Sequence, residues 1–229
     1  MGERLVFVMP PVDTEALRPD EGLRRRAREA LGVPSDSVVV GTLAARYPQK
    51  GIEWLLRAAA TVRAPGSSAV FRIIGKASAA HPEYERGLHR AAESLGLRPP
   101  ALDFVDPADE PHLLLRGLDV FALTSVPRSE GIPTVIGEAM ALGIPVVTTD
   151  VGAVRELVAP DASAIVAPPQ DVDAIARAVS RLVGDEDMRR RMGAAGREIA
   201  ERRLGLDRVA DVHAAAYELA IRQRRNRRR

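Results

Sequence analysis

Two acids and one base stand out in this sequence by type and position. Glu130 and Glu138 are separated by Gly131-Ile132-Pro133-Thr134-Val135-Ile136-Gly137. Pro133 suits the first position of a helix, because its missing N–H would lack a partner there anyway. A helix opening there leaves amides free from Thr134 onward, a ready site for a phosphate. Glu130 then precedes the helix and Glu138 lies on its second turn, so the carboxylates flank the helix start. A carboxylate beside a bound diphosphate is repelled. The pair therefore fits acceptance of hydrogen bonds from sugar hydroxyls, one on a transferred sugar and one on a ribose. The residues alone also fit a plainer account, with Glu130 a favourable charge at a helix N-terminus and Glu138 solvated.

The base is Lys50. The chain has two lysines, Lys50 and Lys76, and otherwise uses arginine. Lys50 sits in the loop Ala45-Arg46-Tyr47-Pro48-Gln49-Lys50-Gly51, just after an apolar run. Arg46 and Lys50 together could clamp a pyrophosphate, arginine bidentately and lysine as a compact charge. Such a clamp neutralises charge developing on a departing diphosphate; two exposed loop cations are the alternative. Gly75-Lys76-Ala77-Ser78 allows close backbone approach at Gly75 but lacks a GxGxxG pattern, so Lys76 reads as a surface residue. Phe104-Val105, ahead of Asp106-Pro107, could hold a base by backbone bonds and apolar contact, or could be a structural turn.

The elements that must position these loops follow from periodicity. Short apolar runs at 38–44, 70–75, 102–105, 120–125, 145–149 and 164–167 read as parallel strands covered on both faces. Helical patterns fall at 51–64, 82–96, 110–117, 133–142, 152–159, 171–184, 186–203 and 206–223. This alternation predicts an α/β fold, a doubly wound parallel sheet of about six strands with helices on both faces, Rossmann-like. In such sheets ligands bind beyond the carboxyl ends of the strands, where strand order reverses. Every loop singled out above follows a strand.

Composition removes other chemistries. The absence of cysteine excludes disulfides, thiolate metal sites and cysteine nucleophiles. The histidines, at 81, 89, 112 and 213, have no metal-ligand spacing. Aromatics are 3% of residues, too few for single-strand stacking platforms. Asp171-Val172-Asp173 and Asp185-Glu186-Asp187 match the DxD pattern of metal-dependent sugar transferases, but each opens a helical pattern, where aspartates cap. Ser129 lacks the GxSxG elbow of a serine nucleophile. Net charge is +2, yet six arginines lie in the last eight residues, and without them 27 basic residues face 31 acidic ones. The basic character thus belongs to a tail, expected to be solvated and disordered, with weak contact to an anionic membrane face and no specific nucleic acid. No apolar run reaches membrane-spanning length, and a cytoplasmic location, peripheral at the inner membrane face, is expected.

Glu130 and Glu138, with the following Ala139-Met140-Ala141-Leu142-Gly143-Ile144-Pro145-Val146-Val147-Thr148-Thr149-Asp150-Val151-Gly152, resemble the signature of the C-terminal domain of GT-B-fold retaining glycosyltransferases of the group 1, or family 4, type. Pro48-Gln49-Lys50-Gly51 is similar to that family's Pro-x-Lys-Gly, and Val12-Asp13-Thr14-Glu15 with Arg18-Pro19 to its domain entry. The resemblance covers residues 5–200 or so. It implies that Glu130 contacts the donor sugar and serves as the catalytic carboxylate, that Glu138 binds the ribose, and that Lys50 binds pyrophosphate. It further implies that amides around Gly131, Thr134 and Val135 hold sugar and phosphates, and that the base lies by Phe104 and Val105. Ala45 stands where the family has its phosphate-binding arginine, with Arg46 one residue later, and Gly131-Ile132-Pro133 replaces the usual Gly-Phe-Gly.

The resemblance implies a hexosyltransferase that uses a nucleoside diphosphate sugar as donor, without metal or cofactor. A GT-B enzyme pairs two such domains, so the N-terminal acceptor-binding domain, with the family's catalytic histidine, is expected as a partner. On this reading residues 1–12 are a linker and an orphan strand at 4–9, 13–205 the donor domain, 206–221 a C-terminal helix and 222–229 the basic tail. The isolated chain is expected to bind nucleotide and transfer nothing. The alternative is a stand-alone binding or assembly module that pairs with a separate N-terminal polypeptide or self-associates through the apolar stripe of the last helix.

Overall fold

The computed structural model describes residues 8–63 and 67–226. Six parallel strands form one sheet: β1 (Val38–Leu43), β2 (Ala69–Ile74), β3 (Leu102–Val105), β4 (Val120–Leu123), β5 (Val146–Thr149) and β6 (Ala164–Ala167). Their order is β3-β2-β1-β4-β5-β6, so the winding reverses between β1 and β4. Val40 pairs with Phe71 on one side and Val120 on the other. All six strands fall within a residue or two of the apolar runs that predicted them. Runs of β-branched residues bounded by loop chemistry leave little ambiguity.

Both faces of the sheet are covered, as the continuous apolar strands require. Successive residues point to opposite sides. Val39 joins one core with Leu115, Ile136 and Met140, while Val40 joins the other with Leu55, Ile175 and Val179. The first layer holds α1 (Glu21–Ala30), α4 (Pro111–Leu115), α5 (Thr134–Ala141), α6 (Val154–Leu157) and α8 (Glu186–Arg203). The second holds α2 (Ile52–Val62), α3 (Pro82–Ser94) and α7 (Val172–Gly184). Helix α2 packs on α7, and α5 on α8.

Four local results refine the sequence reading. Helix α1 was not anticipated: it is rich in charge and buries only Ala27. Its start is nevertheless legible, for Asp20 caps it by accepting from the Leu23 amide at 2.8 Å. The first aspartate of each DxD-like segment acts as a cap. Asp171 accepts from the Ala174 amide at 2.8 Å, and Asp185 from the Met188 amide at 2.7 Å. The strand expected at 4–9 falls on residues outside the described ones up to residue 7, and no strand is formed from residue 8 to residue 11.

The fourth result concerns the C-terminus. The tail expected to be disordered from residue 222 is helical as far as it is described, for α9 runs over Leu206–Asn226. Arg222 pairs with Glu218 one turn back at 3.2 Å, and arginine and glutamine are good helix formers. Residues 227–229 lie outside the described ones. Val209 of α9 is buried, but Leu206, Tyr217, Leu219 and Ile221 are exposed. No helix among the described residues is long and apolar enough to cross a membrane.

Candidate functional site

The reversal of winding places the loops after β1 and β4 side by side. Hydrogen bonds stitch them together on both sides of Lys50. The Val126 amide donates to the Gln49 carbonyl at 3.0 Å, and Thr124 Oγ1 donates to the Gly51 carbonyl at 2.9 Å. Gly51 has φ 57°, and a Cβ there would lie 2.3 Å from the Thr124 carbonyl oxygen. Only glycine permits this approach. The first turn of α2 is held by Tyr84, whose hydroxyl accepts from the Ile52 amide at 3.1 Å and donates to Glu53. Burial, then the Glu53 carboxylate, pushes the Tyr84 phenol well above its ordinary range, so it remains a donor.

Held in this way, Lys50 meets Glu130. Nζ donates to Glu130 Oε1 at 2.6 Å, and the Glu130 side chain is only 8% exposed. Ser125 Oγ donates to the same oxygen at 2.6 Å. The loop carrying Glu130 is closed from the far side by the segment after β5. The Ala153 amide donates to the Gly131 carbonyl at 2.8 Å. Gly152, at φ 54°, is packed so tightly that a Cβ would sit 2.3 Å from the Gly131 carbonyl oxygen. Ser129 Oγ donates to the Val126 carbonyl within the loop.

Beyond Glu130 the chain enters α5. Pro133 is its N-cap rather than its first helical residue, and no side chain caps the helix. The Thr134 and Val135 amides have no acceptor among the described residues. Gly131 is exposed, and a Cβ added to it would meet nothing within 4 Å. Packing therefore does not require glycine there, whereas close approach of a ligand to the backbone would. Glu138 lies along the same helix, its Oε2 3.4 Å from Nε2 of His112 on α4.

The structure thus brings Lys50 to Glu130, next to Gly131 and the Thr134 and Val135 amides, while Glu138 lies further along α5 beside His112. It uses Arg46 otherwise than as the free half of a clamp. Its guanidinium is nearly buried, donates from Nε to both oxygens of Glu85 on α3 at 3.1 and 2.9 Å, and donates from Nη1 to the Gly75 carbonyl. A charged partner in a desolvated setting outcompetes an open loop as its resting place. Burial alone would raise the Glu85 carboxyl. The Arg46 hydrogen bond and charge, with His89, outweigh it and hold that carboxyl below the usual range. Lys76 is exposed. Phe104 is half-buried, its ring centroid 4.3 Å from that of His89 and 5.8 Å from Arg46 Cζ. The Val105 carbonyl already accepts from the Gly75 amide at 2.9 Å, which removes one backbone group from those that could hold a base.

Sequence reasoning passed over Ser125, Tyr84 and His112. A polar residue ending an apolar strand is the signal that could have found Ser125. Nothing in sequence marks His112, which meets Glu138 only through the packing of α4 beside α5. A cleft of about 650 Å³ at the opposite end of the sheet, lined by Arg24, Arg116, Arg189 and Arg197, makes a poor anion site. Arg24 is paired with Asp119 at 2.5 Å, and the other three donate to backbone carbonyls.

Residues 24–199 match the family model described as glycosyl transferases group 1. The chain is 34% identical over 191 residues to D-inositol 3-phosphate glycosyltransferase of Corynebacterium urealyticum, covering 81% of this chain and 44% of that protein. It is 34% identical over 202 residues to the GDP-mannose-dependent alpha-(1-6)-phosphatidylinositol monomannoside mannosyltransferase of Mycolicibacterium smegmatis, covering 86% and 51%. The chain therefore spans about half the length of the curated relatives it matches. Among solved structures, Anabaena Alr3699/HepE in complex with UDP and glucose superposes with a TM-score of 0.80 at 25% identity, over 93% of this chain and 55% of that one. The C-terminal domain of the group 1 glycosyl transferase LpcC from Francisella tularensis shares the fold, with a TM-score of 0.75 at 22% identity over 85% of this chain and 99% of that one.

Proposed function

The chain belongs to the glycosyl transferases group 1 family, and from that premise we propose that it is the nucleotide-sugar-binding half of a retaining glycosyltransferase. The observation that carries the proposal is the convergence of Lys50 and Glu130, 2.6 Å apart, at the uncapped start of α5. The diphosphate lies against the Thr134 and Val135 amides, where the helix dipole favours an anion. With Arg46 committed to Glu85, Lys50 is the charged group that meets the pyrophosphate. Glu138 accepts from the ribose hydroxyls and Glu130 from the donor sugar. As the glycosidic bond to the diphosphate breaks, the lysine and amides neutralise the leaving group, the work done by a cation in DxD enzymes. Metal is therefore not required. The acceptor half of the cleft comes from a second domain, so this chain alone binds nucleotide and transfers nothing.

HepE binds UDP, and the mycolicibacterial relative is GDP-mannose-dependent. Thermal-shift assays with UDP-, GDP- and ADP-sugars, with and without EDTA, test the proposal. Stabilisation by one nucleotide class, unchanged by EDTA, is expected. Stabilisation abolished by EDTA overturns metal independence, and no shift from any of the three overturns the donor-site assignment.

A second reading concerns assembly. Tyr217, Leu219 and Ile221 of α9 are exposed at 69%, 45% and 53%, which favours a partner polypeptide across this helix. Light scattering during size exclusion, with a strict monomer at high concentration, counts against self-association.

A further inference from the structure

Ser125 follows β4 and is fully buried. Its Oγ donates to Glu130 Oε1 at 2.6 Å, the oxygen that Lys50 Nζ also holds at 2.6 Å. Ser125 is fixed in turn, for Thr149 Oγ1, at the end of the neighbouring strand β5, donates to the Ser125 carbonyl at 2.6 Å. The Glu130 backbone is pinned from the other side, where a Cβ on Gly152 would lie 2.6 Å from its carbonyl oxygen. Two donors therefore converge on Oε1, while Oε2 has no partner among the described residues.

The two donors are not equivalent. Lys50 is a charge on a flexible stem, and an incoming diphosphate competes for it. Ser125 is a short side chain on a buried, hydrogen-bonded backbone and has no reason to move. We propose that Ser125 is a positioning residue for the donor sugar: its hydroxyl holds Oε1 of Glu130 when Lys50 is drawn to the diphosphate, so that Oε2 stays aimed at a sugar hydroxyl. The inference rests on the reading of Glu130 as the carboxylate that contacts the sugar.

Calorimetry on the full chain, with UDP-glucose against UDP and GDP-mannose against GDP, tests it. Ser125→Ala is expected to lower affinity for the sugar nucleotide that binds about tenfold, the scale of a hydrogen bond to a charged group, and to leave affinity for the bare diphosphate unchanged. In a Glu130→Ala background the same substitution is expected to do nothing further, because the group it acts through is gone. Equal losses for sugar nucleotide and diphosphate, or a loss that persists without Glu130, overturns the inference and leaves Ser125 a packing residue. If Glu130→Ala loses the preference for the sugar nucleotide while Ser125→Ala keeps it, the Ser125 inference alone falls. If Glu130→Ala keeps the preference, or no probe binds the wild type, the underlying reading of Glu130 falls and the inference with it.

Discussion

Lys50 Nζ and Glu130 Oε1 lie 2.6 Å apart, although 80 residues separate them in the chain. The pair is shielded, at 16% and 8% side-chain exposure. Removing one partner leaves a desolvated charge, so Lys50→Ala is expected to destabilise the protein by about 2–4 kcal/mol. The double change Lys50→Met with Glu130→Gln is expected to recover much of that loss. Urea unfolding of the three proteins checks both statements. A loss below about 0.5 kcal/mol for Lys50→Ala would place the pair with ordinary surface ion pairs.

Glu138 and Lys50 are assigned to different parts of the nucleotide. Glu138→Ala and Lys50→Ala are each expected to weaken nucleoside diphosphate binding by about 1–3 kcal/mol, as loss of desolvated hydrogen-bond partners does. Titration calorimetry reads this directly, and unchanged affinity in both variants removes the site assignment.

Gly131 and Gly152 touch the same loop with opposite constraints. A methyl group on Gly131 meets nothing within 4 Å. Gly131→Ala is therefore expected to leave stability equal or raise it by about 0.5 kcal/mol, while weakening binding of the sugar nucleotide through the space it fills. Gly152→Ala meets both a positive φ of 54° and the Gly131 carbonyl oxygen at 2.3 Å. It is expected to cost about 2 kcal/mol or more. Melting curves with and without ligand separate the two cases.

The Arg46–Glu85 pair gives a pH signature. Because the Glu85 carboxyl is held below its ordinary range in the folded protein, its contribution is fully present above the unfolded-state value, about 4.3. It is lost as pH falls through the lower folded value. Glu85→Gln is thus expected to be less stable than wild type by about 1–2 kcal/mol near neutral pH. The gap narrows as pH falls below the ordinary carboxylate range. A gap that widens in acid would contradict the assignment.

The sheet was legible because each strand is a nearly unbroken apolar run, and burial on both faces is written into such runs. The positions of Lys50 after β1, Glu130 before α5 and Glu138 on it were legible to within a residue because they are set by local spacing from strand ends. The destination of Arg46 was not. Its partner Glu85 lies on α3, and only the pairing of β1 with β2 brings that helix within reach. Nor was α1, whose ten residues are mostly charged and bury one alanine. His112 needed the packed structure, since it meets Glu138 from a different helix, whereas Ser125 meets Glu130 within one loop and could have been found as the polar end of an apolar strand.

The stitches on either side of Lys50 have a consequence for how the protein comes into being. Residues 38–105 supply β1, β2 and β3, but the strand that carries the other wall of the crevice begins at Val120. The two walls are far apart in the chain, so a growing chain has no ligand crevice until the segment from β4 onward docks against β1. On the proposed function, a nucleotide bound there would act as a clasp between the two segments, its free energy of binding counting directly against their separation.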